Sequence, residues 1–334
     1  MMRVKDLAEK KLIDRLTTLV KISTTPKLAK YDDVFYLESM NKGNVVIHTD
    51  MLVGKTDVPS IMELYHVGVK SVIMNVSDLI VKGVVPRGMI VSLGLPGNML
   101  LNDFDSMIKG IGETAEKYGI KYIGGDLNEA DDLIVDITMI GFHEDVLIPR
   151  NGIKSRNVVA STGEFGFTTA GLYLVLNGFA GKCNKKYTPF LNAVLKPALN
   201  YDAILNIARR KGIIASIDSS DGLSACLMDL LDVNDYGFLI DNAPVNALIK
   251  DFSADYKFPV PDLLFNGGEE YHAIFIIDEE YWNEIKDYSI KNGYYLEKLG
   301  RVIEEKKVYY KDSSTGLTRA ITKRGFEHFN PQLP

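Results

Sequence analysis

Ile213-Ile214-Ala215-Ser216-Ile217-Asp218-Ser219-Ser220-Asp221-Gly222-Leu223 is the stretch from which the rest of the chain can be read. An apolar run of strand length leads straight into two aspartates, two serines and a glycine, and a helix-like segment follows. One Asp or Ser suffices to cap a helix. Two of each exceed that need and point to a metal or phosphate role. Similar placements recur upstream, in Tyr31-Asp32-Asp33, His48-Thr49-Asp50, Asn75-Val76-Ser77-Asp78 and Gly124-Gly125-Asp126, for seven aspartates in all. Like charges converging on one spot need cations, and Mg²⁺ prefers carboxylate oxygens while keeping substrate phosphates in its shell. The pattern implies Mg²⁺-dependent handling of phosphates on scattered aspartates.

The composition is that of a globular protein, with 46% hydrophobic and 25% charged residues among 334. That length accommodates two domains. A net charge of -6 with no basic run argues against a nucleic-acid partner. Cys183 and Cys226 form no Cys-x-x-Cys pair, so neither a disulfide framework nor a thiolate zinc site is expected. Residues 1–21 lack the apolar core of a signal peptide. The longest apolar stretch, Val72 to Val85, is broken by Asp78 and Lys82, so no membrane span is expected. A reducing cytoplasm is the expected setting.

Leu7, Leu12, Ile13, Leu16, Leu19 and Val20 recur at helical spacing. Strands are expected at 34–37, 45–47, 89–93, 120–123 and 133–140, with helices at 67–81 and 104–118. Pro149-Arg150-Asn151-Gly152 marks the expected boundary between a domain at 1–148 and another at 149–334. Beyond it, strands at 157–161, 213–217, 237–240 and 273–277 alternate with helices such as 168–176. Mixed hairpin-like strands and interspersed helices suggest an α+β fold.

Gly124-Gly125-Asp126 reads as the end of a strand, either a turn or a backbone bared for phosphate. Asp50 follows a strand that points into a core, where an unpaired charge is costly. Asp78 sits in an otherwise apolar helix, where Asp is a poor residue unless solvent-facing or functional. Gly267-Gly268-Glu269-Glu270-Tyr271 is either a hairpin turn or a substrate loop. No histidine lies in a spaced metal motif; His66, His143 and His328 read as surface or packing residues. No Walker A loop exists, since Gly181-Lys182 precedes Cys183. Gly110-Ile111-Gly112 lies inside a helix and lacks a third glycine, so it is no dinucleotide fingerprint.

The ordered set Asp-Asp, Thr-Asp-Met-Leu-Val, Asn-x-Ser-Asp, Leu-Pro, Gly-Gly-Asp, Ile-Asp-x-Ser-Asp-Gly-Leu, Gly-Gly-Glu-x-Tyr and Gly-Phe-x-His-Phe resembles the thiamine-monophosphate kinase family over roughly residues 30 to 330. That family belongs to the aminoimidazole-ribotide synthetase-like superfamily. The resemblance implies a two-domain α+β fold, with an N-terminal domain that forms a dimeric β-barrel and binds ATP and Mg²⁺, and a C-terminal α/β sandwich completing the site. It implies a homodimer that phosphorylates thiamine monophosphate with ATP and several Mg²⁺ ions. Asp32, His48, Thr49, Asp50, Asp78, Asp126, Asp218 and Asp221 match metal positions, and Asp50, Asp78, Asp126 and Asp218 carry the catalytic role. Met107, Gly125, Asp126, Arg150 and Ser220 match ATP contacts. Asp57, Glu269 and Phe326 match positions facing the substrate. Departures lie at Tyr31, Val34, Phe35, Asp57, Met107 and Leu127, where the family usually carries other residues. The same superfamily also holds aminoimidazole-ribotide and selenophosphate synthetases, and a non-catalytic Mg-nucleotide module is the remaining alternative.

Overall fold

The computed structural model describes residues 11, 34–37, 44–143, 147–313 and 315–322. The expected N-terminal helix, Asp32 and Phe326 lie outside the described residues.

The first half builds a five-stranded sheet from β1 (Phe35–Leu37), β2 (Asn44–Val53), β3 (Val85–Leu95), β4 (Lys121–Glu129) and β5 (Ile134–His143), in the order β1-β2-β5-β3-β4. Alternation explains its two faces. Along β5, Val135, Ile137 and Met139 are buried while Asp136, Thr138 and Ile140 between them are not. The buried face packs on α1 (Leu64–Val81), with α2 (Leu101–Lys117) lying against that helix. Gly68 and Gly110 allow the crossing, since a Cβ on either would stand about 2 Å from a carbonyl oxygen of the other helix, that of Met107 or Tyr65. Gly110 is therefore a packing residue.

The second half forms a seven-stranded sheet, with β6 (Val158–Ser161), β7 (Ile213–Asp218), β8 (Gly237–Ile240), β9 (Ala273–Ile277), β10 (Glu297–Ile303), β11 (Val308–Lys311) and β12 (Thr318–Ala320) in the order β12-β11-β8-β10-β6-β9-β7. Helices cover both faces, and so β9 is buried at every position. Phe275 and Ile277 join the core built on α1, α5 (Tyr201–Ala208) and α9 (Trp282–Lys291). Ile274 and Ile276 face α6 (Leu223–Asp232) and α8 (Val260–Phe265). Helices α3 (Phe167–Leu176), α4 (Thr188–Leu195) and α7 (Ala247–Tyr256) bury an aromatic cluster around Phe190 and Phe252.

Helix α1 is long and apolar enough to cross a membrane by composition, yet most of it is buried between the two sheets. Its apolar surface on nearly all sides is that of a central core helix.

Three expectations change. Gly124-Gly125-Asp126 does not end a strand: β4 runs through it, parallel to β3, and a Cβ on Gly125 would stand 1.7 Å from the Val91 carbonyl oxygen. Asp50 lies inside β2, not beyond it. Residues 260–265 are helical, so the 267–271 loop is not a hairpin turn.

Candidate active site

Four segments meet where the halves join. On β2, His48 and Asp50 are two residues apart and therefore share the face that packs on α1. Opposite them, α1 presents Asp78, whose carboxylate lies 3.1 Å from His48 Nε2. One turn earlier, Asn75 Nδ2 donates to the Asp50 backbone carbonyl at 3.3 Å, tying helix to strand. From the second half, Asp218 ends β7 and accepts from Ser77 Oγ at 2.7 Å and from Ser220 Oγ at 3.3 Å. The end of α1 is held to β7 by Lys82 Nζ donating to the Ser216 carbonyl at 2.8 Å and by Ser216 Oγ donating to the Val81 carbonyl at 2.8 Å.

The fourth segment is the loop 267–271. Gly222 has φ +93°, and a Cβ there would stand 1.4 Å from the Gly267 carbonyl oxygen; Glu269 N–H donates to the Ser220 carbonyl at 2.6 Å. The two glycine-bearing motifs thus pack backbone on backbone, which side chains would prevent. Glu269, at φ +62°, forms an ion pair with buried Lys70 of α1, and Lys70 Nζ also donates to the Asp57 carbonyl at 2.5 Å. Glu270 turns the other way. Its carboxylate accepts from Gly166 N–H at 2.6 Å at the start of α3.

The electrostatics are those of crowded, buried carboxylates. Burial, then Asp218, pushes Asp78 up to about 7, against the opposing pull of His48. Burial also raises Asp50, with Asp218 and Asp57 adding to it. For His48 burial opposes protonation, but Asp78, Asp50 and Asp218 outweigh it and the pKa rises above 6.5. The Tyr271 phenol is raised by burial and by Glu269, Asp50, Asp218 and Asp57, so one field links the aspartate cluster to the Lys70 corner.

The residues fit a cation. His48, Asp50 and Asp78 offer ligand atoms within 4.8 Å of one another. Asn75 Oδ1 beside them is buried without a hydrogen-bond partner among the described residues. A positive ion there would relieve like-charge repulsion that His48 offsets only in part.

Other sequence-selected residues fall elsewhere. The Thr49 hydroxyl is on the opposite face of β2, 3.1 Å from Asp136 Oδ1. Asp126 is exposed on edge strand β4, accepting from Asn128 Nδ2 at 3.2 Å. Asp126 aligns with Ser92 on β3, which aligns with Asp136 on β5, and that row faces away from α1. Met107 is fully buried where the two helices cross. Arg150 stands 4.0 Å from Asp229 of α6. Asp221 lies at the exposed rim of the β7–α6 loop. The Asp57 carboxylate accepts from Val53 N–H at 2.7 Å, and its backbone carbonyl accepts from Lys70 Nζ, which also meets Glu269. Sequence reading passed over Lys70, and it quoted Asn75, Ser77 and Tyr271 within motifs without giving them a role. A signal existed for Lys70, a cation within the apolar run of α1.

Comparison with known proteins follows the same lines. Residues 31–143 match the family model of the AIR synthase related protein, N-terminal domain. A thiamine-monophosphate kinase of Nitrosopumilus maritimus is 31% identical over 292 residues, covering 86% of this chain and 90% of that protein. One from Pyrococcus horikoshii is 33% identical over 289 residues, covering 84% and 85%. Among solved structures, one described as AaThiL complexed with AMPPCP and TMP superposes with a TM-score of 0.84 at 24% identity, covering 98% of this chain and 99% of that one. That likeness speaks to the fold.

Proposed function

The chain belongs to the thiamine-monophosphate kinase family, and we propose from that premise how its residues carry out ATP-dependent phosphorylation of thiamine monophosphate to thiamine diphosphate. It is a phosphotransferase whose acceptor is itself a phosphate group. The observation that carries the site assignment is the meeting of Asp50, Asp78 and Asp218, drawn from both halves of the chain, at one buried spot beside His48.

The chemistry asks little of a base. The second pKa of a phosphate monoester is about 6, so the attacking oxygen is mostly ionised at neutral pH. The obstacle is repulsion: two unit charges about 4 Å apart repel by roughly 4 kcal/mol at an effective dielectric of about 20, and several charges meet here. Mg²⁺, which the aspartates would hold, would supply the positive charge that offsets this repulsion. Asp50 and Asp78 would hold that ion from the first half, Asp218 and Asp221 from the second. Ser77 and Ser220 fix the Asp218 carboxylate. Gly125, Arg150 and Ser220 serve the nucleotide. Lys70 orients Glu269 towards the thiamine moiety, with Asp57 beside it, while Phe326 supplies an aromatic face.

A homodimer belongs to the same proposal. Met51, Ile90 and Phe142 are exposed on the face of the first sheet turned away from α1, with Tyr122 and Leu127 exposed on its edge strand β4. Such a patch with an open edge calls for a partner, and a second copy would close the barrel by two-fold symmetry. Asp126 is three strand spacings from Asp50, about 14 Å, on that outward side. In the dimer it acts across the interface. Two domains, 1–148 and 149–334, and a cytoplasmic setting complete the reading.

The test is γ-labelled ATP incubated separately with thiamine, thiamine monophosphate, an aminoimidazole precursor and selenide, with and without Mg²⁺. Label is expected only in thiamine diphosphate and only with Mg²⁺. Label in another product makes the chain a different synthetase, and ATP binding without turnover makes it a binding module.

A further inference from the structure

We propose that Asn234 is a positioning residue for the transfer reaction, one that fixes the backbone at Arg150 and so sets its guanidinium beside the loop of Asp218 and Asp221. This deepens the preceding function and rests on its premise that Arg150 serves the nucleotide.

Asn234 follows the C-cap of α6 and is 8% exposed. Its side chain makes one local bond and two distant ones. Nδ2 donates to the Leu230 carbonyl at 2.7 Å and to the Arg150 carbonyl at 2.9 Å. Oδ1 accepts from Ile153 N–H at 3.4 Å. The first bond satisfies a carbonyl left over in the last turn of α6, which any helix end requires. The other two reach 84 and 81 residues back, to the segment that joins the two halves of the chain. Just before Arg150, the Pro149 carbonyl accepts from Ser216 N–H of β7 at 3.1 Å. The backbone around Arg150 is therefore pinned to β7 on one side and to the end of α6 on the other.

The side chain then runs along α6. The Arg150 guanidinium lies 4.0 Å from the Asp229 carboxylate, and these side chains are 12% and 15% exposed. Asp229 precedes Asn234 by five positions, roughly 7 Å nearer the start of the helix. Nearer still is Cys226, in the first turn. Asp218, Asp221 and Asp229 raise its buried thiol while Arg150 opposes them. Arg150 thus extends from the end that Asn234 grips towards the loop that carries Asp218 and Asp221. A guanidinium presents a rigid fork of donors that matches phosphate oxygens, so its value depends on where the fork is held.

The competing account is that Asn234 merely caps α6, and that its bond to Arg150 has no bearing on the nucleotide. Asn234→Ser separates the two. A serine hydroxyl still donates to the carbonyl four residues back, but it is too short to span to Arg150 and Ile153. Full-length protein is assayed with each substrate varied in turn, with and without Arg150→Ala. For Asn234→Ser the KM for ATP should rise about three- to tenfold, the worth of one hydrogen bond, while that for thiamine monophosphate stays put. Arg150→Ala should itself raise the KM for ATP, and adding Asn234→Ser to it should change nothing more, because the two residues act as one unit. A measurement on the unaltered protein guards against a variant that folds poorly: hydrogen exchange in peptides covering 150–153 should slow when a non-hydrolysable ATP analogue and Mg²⁺ are added. A lower melting temperature with both KM values unchanged, a rise that adds in full to that of Arg150→Ala, or exchange at 150–153 indifferent to nucleotide overturns this inference. Thiamine diphosphate still formed in those cases leaves the kinase function standing. Arg150→Ala with an unchanged KM for ATP overturns the nucleotide role of Arg150 and this inference with it.

Discussion

Lys70→Met separates the corner of Lys70, Asp57 and Glu269 from the rest of the site. The ammonium is 2% exposed, and it joins the Glu269 carboxylate of the second half to the Asp57 carbonyl of the first. Removing one partner of a buried pair costs about 3–5 kcal/mol. Glu269 keeps 30% of its side chain in solvent and can rehydrate, so the lower range of about 2–3 kcal/mol applies, near one charge-assisted hydrogen bond. Met fills the space of the lysine stem, so no cavity cost is added. At about 1.4 °C per kcal/mol for 334 residues, from about 2.1 cal/mol/K of unfolding entropy per residue, the melting temperature should fall by about 3–4 °C. Glu269 also loses the contact that steadies its φ of +62°, so the KM for thiamine monophosphate should rise while that for ATP moves less. Thermal melts followed by circular dichroism and steady-state kinetics with each substrate varied in turn give both readouts, and Lys70→Arg should restore part of each. A melting temperature and both KM values indistinguishable from the unaltered protein would refute the assigned role of Lys70.

Asp50→Asn should cut turnover at least about a hundredfold through lost charge neutralisation, while the metal-free protein melts no earlier, because a buried carboxylate repelled by Asp218 and Asp57 has been removed; near-normal turnover at saturating Mg²⁺ would take Asp50 out of the site. Glu270 is pushed up to about 8 by burial, against the backbone amides of Gly166, Phe167 and Thr168. Its folded pKa exceeds the usual 4.5, so its contribution to stability is complete below about pH 4.5 and lost as pH rises through about 8; melting curves from pH 6 to 9 should decline less steeply in Glu270→Gln, and equal slopes would contradict this. Phe142→Asp places a charge on the exposed face of the first sheet and should yield monomers in sedimentation at micromolar concentration. A dimer as stable as before would put the interface elsewhere.

Much of the fold was legible from spacing. The β8 and β9 expectations match their observed bounds, and the α1 and α3 expectations differ only at their first residues, because the period of apolar side chains is a local property of the chain. Boundaries failed where glycine has a tertiary cause. Gly125, read as a turn or as backbone bared for phosphate, is a strand residue pressed against the Val91 carbonyl; Gly267, read as part of a hairpin turn or a substrate loop, lies under Gly222 in a loop that is no hairpin. Spacing alone gives no distinction between a glycine that bends the chain and one that admits another segment.

The sequence by itself determined the α+β class, the central helix with its unexpected Asp78, the Asp218 loop and, through the ordered motifs, the family. Only the tertiary structure decided which acids act together. Asp50 and Asp126 carry similar motifs, yet one faces α1 and the other the outer side of an edge strand. Asp218 reaches Ser77 across 141 residues, and Lys70 reaches Glu269 across 199. Periodicity reports which residues a helix or strand places on one face, a matter of neighbours two to four positions away. Which faces then meet is settled by burial of the shared core, where α1 lies between two sheets and brings their acids to one place.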